Sequence, residues 1–244
     1  MKRYFFVDKT AKVGEFITIE GQEHIHISKV LRLSIGDEIV CLPNDESALN
    51  ASITEINKKT TTIKVESIEH PQQETSTHLT VYVAMPKGDK FEFLITKLTE
   101  IGVKRIIPFA SEYSIAKPLD KTERYLTIAR EACKQCRRTK IIDVGSPITF
   151  DNLLEQIKDY DKVIFASELE QSNNLSSVAL NDAKKVAVII GSEGGFSQAE
   201  ASKIQEAGAL SITLGPRILR AETAGLVVPT IVQYLLGEFD IKKQ

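Results

Sequence analysis

Cysteine is scarce in this sequence, with three among 244 residues. Cys41, Cys133 and Cys136 cannot make a disulfide framework, so the fold must rest on its core. Cys133-Lys134-Gln135-Cys136 has the spacing of a redox motif or half a zinc site. There is no second cysteine pair, however, and His24, His26, His70 and His78 lie far off in sequence. The plainer reading is two small apolar side chains on the buried face of a helix, and no metal is expected. Charge of one sign is lacking too: 31 basic residues face 33 acidic ones, a net charge of -2. A case for nucleic acid must therefore rest on a local patch. No apolar run approaches the roughly 18 residues of a membrane span. The N-terminal Met1–Asp8 has too short an apolar core for a secretory signal, so a soluble, cytoplasmic protein is expected. Internal repeats and low-complexity segments are also missing.

What is present divides in two. Residues 1–72 read as β-rich, with strands expected at Tyr4–Val7, Glu15–Ile19, Glu38–Leu42, Ala48–Ile56 and Thr62–Ile68. Ile53, Ile56, Ile63, Val65 and Ile68 are available for a core, and only His24–Leu31 looks helical. Short strands with one helix predict a small β-barrel. The polar stretch His70–Thr77, which carries Pro71, marks the boundary. Residues 73–244 alternate strands and helices, which predicts an α/β domain with a parallel or mostly parallel sheet. Its strands are expected at Leu79–Met85, Arg105–Phe109, Val163–Ala166, Val186–Ile190 and Leu210–Leu214. Phe91, Leu94, Ile95, Leu98 and Ile101 form one helical face, and Gly102 ends that helix. Further helices are expected over Lys121–Arg138, Gln198–Ala207 and Glu222–Leu236.

Two loops carry the chemistry. Gly191-Ser192-Glu193-Gly194-Gly195-Phe196 follows an apolar strand, and its glycines allow a ligand to approach the backbone. The spacing is neither G-x-G-x-x-G nor a P-loop, which disfavours a nucleotide held by its phosphates. Ser197 and Glu200 form a capping box, so part of this segment is helix initiation. The second loop, Leu214–Ala224, opens with the turn Gly215-Pro216 and brings in Arg217 and Arg220. Glu222 and Thr223 stand where a helix N-terminus favours an acid and a hydroxyl. Both loops follow strands, where open α/β sheets put ligands. Residues 121–140 add a local patch, with seven basic side chains against Glu123 and Glu131. Arg130, Lys134, Arg137 and Arg138 fall on one helical face, which favours a phosphate backbone over an ordinary solvated surface. Leu226, Val227, Val228, Ile231, Val232, Leu235 and Leu236 cover nearly the whole circumference of the last helix. Such a helix needs partners on all sides, a second subunit among them.

Gly191–Ser197 together with Leu214–Ala224 resembles the ribosomal RNA small-subunit methyltransferase E family, of the SPOUT class. The resemblance extends to Val30-Leu31-Arg32-Leu33 with Gly36-Asp37-Glu38, and to Lys87-Gly88-Asp89-Lys90 with Glu100-Ile101-Gly102-Val103. It implies a PUA-like RNA-binding barrel, then an α/β domain with a C-terminal trefoil knot. It implies S-adenosylmethionine as cofactor, held by Gly191, Glu193, Gly194 and Gly195 of one loop. Leu214, Gly215, Ile218, Leu219, Thr223 and Ala224 of the other would complete that site. The reaction would be methylation of N3 of one uridine in 16S rRNA by a homodimer, with Arg220 and Glu222 as catalytic residues. RNA would be gripped by Arg32, Arg130, Lys134, Arg137 and Arg138. The family commonly has Pro where this chain has Ser192, Thr at Ala221, and a Glu-Gln-x-Gly-Arg run at Lys134–Arg138. Two other readings stand beside this one: methylation of another RNA nucleotide, and a non-catalytic ribosome-assembly factor.

Overall fold

The computed structural model describes residues 2–114, 122–180 and 182–240. Contacts divide the chain into two compact units, one of Met1–Glu74 with Arg130–Ile141, the other of Thr75–Ala129 with Ile142–Gln244.

The first unit is built on five strands: β1 Tyr4–Phe6, β2 Phe16–Ile19, β3 Glu38–Leu42, β4 Ala48–Ile56 and β5 Thr61–Glu69. Their hydrogen-bonded order is β1-β3-β4-β5-β2, with β1 parallel to β3 and the other pairs antiparallel. Alternation along β4 and β5 turns Ile53, Ile63 and Val65 inward with Phe5, Ile39 and Leu49. Of the other expected core residues, Ile56 packs at its margin and Ile68 is exposed. The expected helix starts three residues earlier and is mixed, with α1 at Gly21–Ile25 running into one π-helical turn at His26–Val30. Buried His24 has Nδ1 2.8 Å from Thr61 Oγ1, so its polar edge is satisfied in the core.

The expected division at 72/73 treats each unit as one segment. By contacts, Arg130–Ile141 also belongs to the first unit, and charge pairs show how it is held there. Lys134 meets Glu23 at 2.7 Å, Arg138 meets Glu74 at 2.8 Å, and Lys140 meets Glu46 at 2.7 Å. Cys133 is buried with Phe6, Val40, Leu42 and Ala48. Burial, with Glu23 nearby, pushes the Cys41 thiol up to about 12, which makes it a packing residue rather than a reactive one. The described residues contain no disulfide and no His, Cys, Asp or Glu cluster fit for a metal ion.

The second unit is a six-stranded, all-parallel sheet. Its strands are β6 His78–Ala84, β7 Arg105–Phe109, β8 Asp143–Val144, β9 Lys162–Ala166, β10 Lys185–Ile190 and β11 Leu210–Ile212. The order is β11-β9-β10-β6-β7-β8. β6 and β10 are almost wholly buried, which explains their unbroken apolar runs. Its helices are α2 Lys90–Glu100, α4 Phe150–Gln156, α5 Gln198–Glu206 and α6 Ala221–Leu235, while α3 Thr122–Cys136 starts in this unit and belongs to the first from Arg130 on. Lys121, the expected start of α3, lies outside the described residues. β8 and α4 have no counterpart among the expected elements.

α2 buries Phe91, Leu94, Ile95 and Leu98, the stripe read from the sequence. α6 continues through Pro229 and comes close to α2, since a Cβ on Gly225 would lie 3.0 Å from Leu94 Cδ2. Val228 and Val232 of α6 are buried, whereas Ile231, Tyr234 and Leu235 are exposed. No helix of the described residues is long and apolar enough to cross a membrane.

Candidate functional site

The strand order creates a switch point. From β9 the chain moves to one neighbouring position in the sheet, β10, and then crosses back to β11 on the other side of β9. Crevices at the carboxyl ends of strands with diverging connections are ligand sites in open parallel sheets. Here the segments following β9, β10 and β11 enclose a cavity of about 660 Å3. That volume falls within the range of about 300–1,000 Å3 typical of small-molecule sites.

The loop after β10 begins at Gly191. A Cβ there would come within 3.2 Å of Phe196 Cε2 and 3.3 Å of the Gly195 carbonyl carbon. Ser192 accepts a backbone hydrogen bond from Gly195 at 3.0 Å, and Gly195 has φ +70, the left-handed region that favours glycine. The turn therefore closes on itself and leaves a cradle. The Ser192 hydroxyl is buried without a hydrogen-bond partner among the described residues. Beyond the turn the expected capping box is present: Ser197 Oγ accepts from Glu200 N, and Ser197 N donates to Glu200 Oε2. Glu200 also accepts from Glu112 N at 2.8 Å, so one buried carboxylate holds two loops.

The loop after β11 supplies the opposite wall. Thr213 N donates to Asn173 O at 2.8 Å, and Gly215, at φ +90, turns the chain over the cavity. Pro216, Arg217 and Ile218 are exposed, Ile218 at 84%. Arg220 is the N-cap residue of α6, its side chain makes no capping bond, and it borders the cavity.

Of the expected cofactor-site residues, Gly191, Glu193, Gly195, Leu214, Gly215, Ile218, Leu219 and Ala224 line this one cavity. Gly194 and Thr223 do not. Gly194 packs instead near Tyr113, whose Cβ would lie 2.9 Å from an added Cβ. A third wall had no place in the sequence reading. Ser167, Glu168, Glu170, Gln171 and Asn174 follow β9 and line the cavity too. Their signal was a polar run directly after an apolar strand, the same arrangement as the two loops singled out. Glu170 accepts from Ser172 Oγ and from the backbone N–H groups of Ser172, Asn173 and Gln171, which pull its carboxyl down to about 2.

Glu222 points elsewhere. It does not line the cavity, and its Oε2 lies 3.1 Å from Lys90 Nζ. That contact falls short of hydrogen-bond geometry, and Oε2 has no other partner among the described residues. Lys90 also donates to Glu193 Oε1 at 2.9 Å, so one cation joins both loops to the start of α2. Burial pushes both carboxyls up. A hydrogen bond from Lys90 outweighs it at Glu193, and a backbone N–H together with the close Lys90 charge outweighs it at Glu222, leaving both below the usual carboxylate range. The two acids in turn hold the Lys90 ammonium above its usual value, chiefly through the Glu193 hydrogen bond and the Glu222 contact.

The five expected RNA-contact residues all lie in the first unit. The structure does not leave them as one row of available cations. Arg138 is buried and its guanidinium is committed to Glu74, because Glu74 also accepts from the backbone of Thr139 and Lys140. The Lys134 side chain is 10% exposed between Glu23 and Glu131. Arg137, at φ +64, is exposed and sits 6.0 Å from the Tyr4 ring centroid. Arg32, at φ +51, is exposed, and Arg130 is half-buried.

Comparison with known proteins adds the following. The sequence pattern of the RNA methyltransferase domain family matches residues 73–233. Ribosomal RNA small subunit methyltransferase E of Bacillus subtilis (strain 168) is 32% identical over 249 residues, covering 96% of each chain. The crystal structure of a ribosomal RNA small subunit methyltransferase E from Neisseria gonorrhoeae, bound to S-adenosyl methionine, superposes with a TM-score of 0.89 at 25% identity. It covers 96% of this chain and 98% of that one. A methyltransferase from Legionella pneumophila in complex with its cofactor SAM gives a TM-score of 0.88 at 26% identity, with the same coverage. With its parallel sheet, its converging loops and these likenesses along nearly its whole length, the chain belongs to the RNA methyltransferase domain family, among the ribosomal RNA small subunit methyltransferases E.

Proposed function

We propose that this chain methylates N3 of a uridine in 16S rRNA, using S-adenosylmethionine bound in the cavity at the ends of β9, β10 and β11. The observation that carries the reading is the convergence of Gly191–Phe196 and Leu214–Ala224 on that one cavity. Its size, its glycine cradle and the orphaned Ser192 hydroxyl fit a ligand with both apolar and polar parts. Gly191, Gly195, Leu214, Gly215, Ile218, Leu219 and Ala224 would hold the cofactor through backbone and apolar contacts. Gly194 and Thr223 would shape the loops from behind. Bound S-adenosylmethionine supplies an electrophilic methyl group, so the protein is left with positioning and charge.

Uridine N3 is a poor nucleophile until its weakly acidic proton leaves. Arg220 is exposed at the cavity rim, and its side chain makes no hydrogen bond or ion pair with another described residue. A guanidinium stays protonated, so Arg220 stabilises the uridine anion while the N3 proton leaves to solvent water. Glu222 is a weak proton acceptor because its pKa is depressed, and it acts by positioning. Arg32, Arg130 and Arg137 are the first-unit cations left to meet RNA phosphates, with Lys134 reaching them only by exchanging its acidic partners. The five-stranded sheet would be the PUA-like RNA-binding part, and the crossing connections of the second unit would form the trefoil knot. Exposed Ile231, Tyr234 and Leu235 on α6 support a homodimer through that helix.

The test is nucleoside mass spectrometry of 16S rRNA from small subunits incubated with protein and S-adenosylmethionine. The reading predicts 3-methyluridine at one site with wild type and a loss of at least about 100-fold with Arg220→Ala, the scale for removing a charge-stabilising group. Methylation of a different nucleoside, or none despite cofactor binding, would overturn it.

A further inference from the structure

Lys90 has no part in the chemistry described above, yet it occupies the junction of both loops. It is the first residue of α2, and its ammonium contacts Glu193 Oε1 at 2.9 Å and Glu222 Oε2 at 3.1 Å. Lys87 N donates to the same Glu193 oxygen at 3.2 Å. The three side chains are only 20–28% exposed, so their charges are less screened than those of a surface pair. Glu222 Oε2 has no second partner among the described residues. Arg220 stands two residues before it, and its charge is among the causes that lower the Glu222 carboxyl, after burial, a backbone N–H and Lys90. Arg220 is thus within electrostatic reach of Glu222 while its guanidinium is bonded to no described residue.

We propose that Lys90 is a positioning residue that holds the Glu222 carboxylate away from Arg220, so that the guanidinium stays available for an anionic substrate base. Without Lys90, a buried carboxylate oxygen loses its contacting cation, and exposed Arg220 stands only two residues before it in the chain. Glu222 then swings toward Arg220 and neutralises it. The activity consequence rests on the methyl-transfer reading above, but the pairing itself does not.

The experiment therefore follows Arg220 directly. The protein is treated with phenylglyoxal, which attacks accessible unpaired arginines, and modification of Arg220 is measured by peptide mass spectrometry with exposed Arg217 as internal reference. Lys90→Ala should slow Arg220 modification about fivefold relative to Arg217, the scale of a newly formed partly exposed ion pair. Lys90→Arg should restore the wild-type rate. The double variant Lys90→Ala/Glu222→Gln should also restore it, because the capturing charge is gone. Lys90→Gln, which keeps the stem, repeats the test should Lys90→Ala unfold. Methyl transfer should fall in Lys90→Ala and return in Lys90→Arg, with cofactor affinity little changed. An unchanged Arg220 rate in Lys90→Ala, or identical rates in Lys90→Ala and the double variant, would overturn the proposal. If the rates behave as expected but wild type methylates no rRNA, the functional reading fails and the role of Lys90 stands.

Discussion

Replacing Glu74 by Ala is the sharpest perturbation of the first unit. The Glu74 and Arg138 side chains are 8% and 5% exposed, and the Arg138 guanidinium approaches Glu74 Oε2 at 2.8 Å through Nη2 and 3.2 Å through Nε. Glu74 Oε1 accepts from the backbone of Thr139 and Lys140, each at 3.0 Å. The substitution removes the Glu74 carboxylate from a buried guanidinium and from two backbone N–H groups. Breaking one side of a buried ion pair costs about 3–5 kcal/mol, because the remaining charge stays out of water. Urea denaturation followed by far-ultraviolet dichroism measures it, with Glu74→Leu/Arg138→Met as the partner experiment. The double variant should recover part of the loss, since an apolar pair removes the stranded charge, though the two N–H groups still lack an acceptor. A loss below about 1 kcal/mol for Glu74→Ala would refute the reasoning, since that is the worth of a solvent-screened pair. It would also return Arg138 to the residues available for RNA.

Two more outcomes follow from the geometry. Gly195→Ala puts a Cβ at φ +70, costing about 1–2 kcal/mol of backbone strain, and brings that carbon to 3.0 Å from Glu168 Oε1 across the cavity. Calorimetry should show weaker S-adenosylmethionine binding, by about tenfold, with the fold retained. Glu238 accepts from Ser76 N, Ser76 Oγ and Thr77 N, and these bonds hold its carboxyl below 4.5 against the opposing effect of burial. Its folded pKa is lowered, so its contribution is present at neutral pH and is lost as pH falls from about 4.5 through the folded value. Glu238→Gln should therefore cost about 1 kcal/mol at pH 7 and progressively less as pH falls below about 4.5, measured by thermal unfolding.

The loops of the site were legible because each combines an apolar strand with glycine or Gly-Pro punctuation, signals local to a few residues. The same is true of α2, whose apolar stripe and terminal Gly102 announce it. β8 escaped because Asp143–Val144 is two residues long and exists only through its pairing with Arg105 and Ile106 of β7. α4 was missed although Phe150, Leu153 and Leu154, with Ile157 just beyond it, fall at i, i+3, i+4 and i+7 and pack on the core, and although Thr149 accepts the capping bond from Asn152 N; at seven residues it is short for a periodic signal. The charge pairs were the least legible feature. Arg130, Lys134, Arg137 and Arg138 look like one basic face on a helical wheel. Glu23 and Glu74, which claim two of them, stand 111 and 64 residues away and leave no trace in spacing. The third wall of the cavity was missed because its polar residues have no glycine to draw attention to them.

The central claim is that the segments after β10 and β11 form a single S-adenosylmethionine site. Calorimetric titration of S-adenosylmethionine into wild type and Gly191→Val tests it most directly. A side chain at position 191 would press on Phe196 and on the Gly195 backbone and close the cradle. The account predicts one site per chain in wild type and no detectable binding in a folded Gly191→Val. Absence of binding to wild type, or equal affinity in the two proteins, would contradict it.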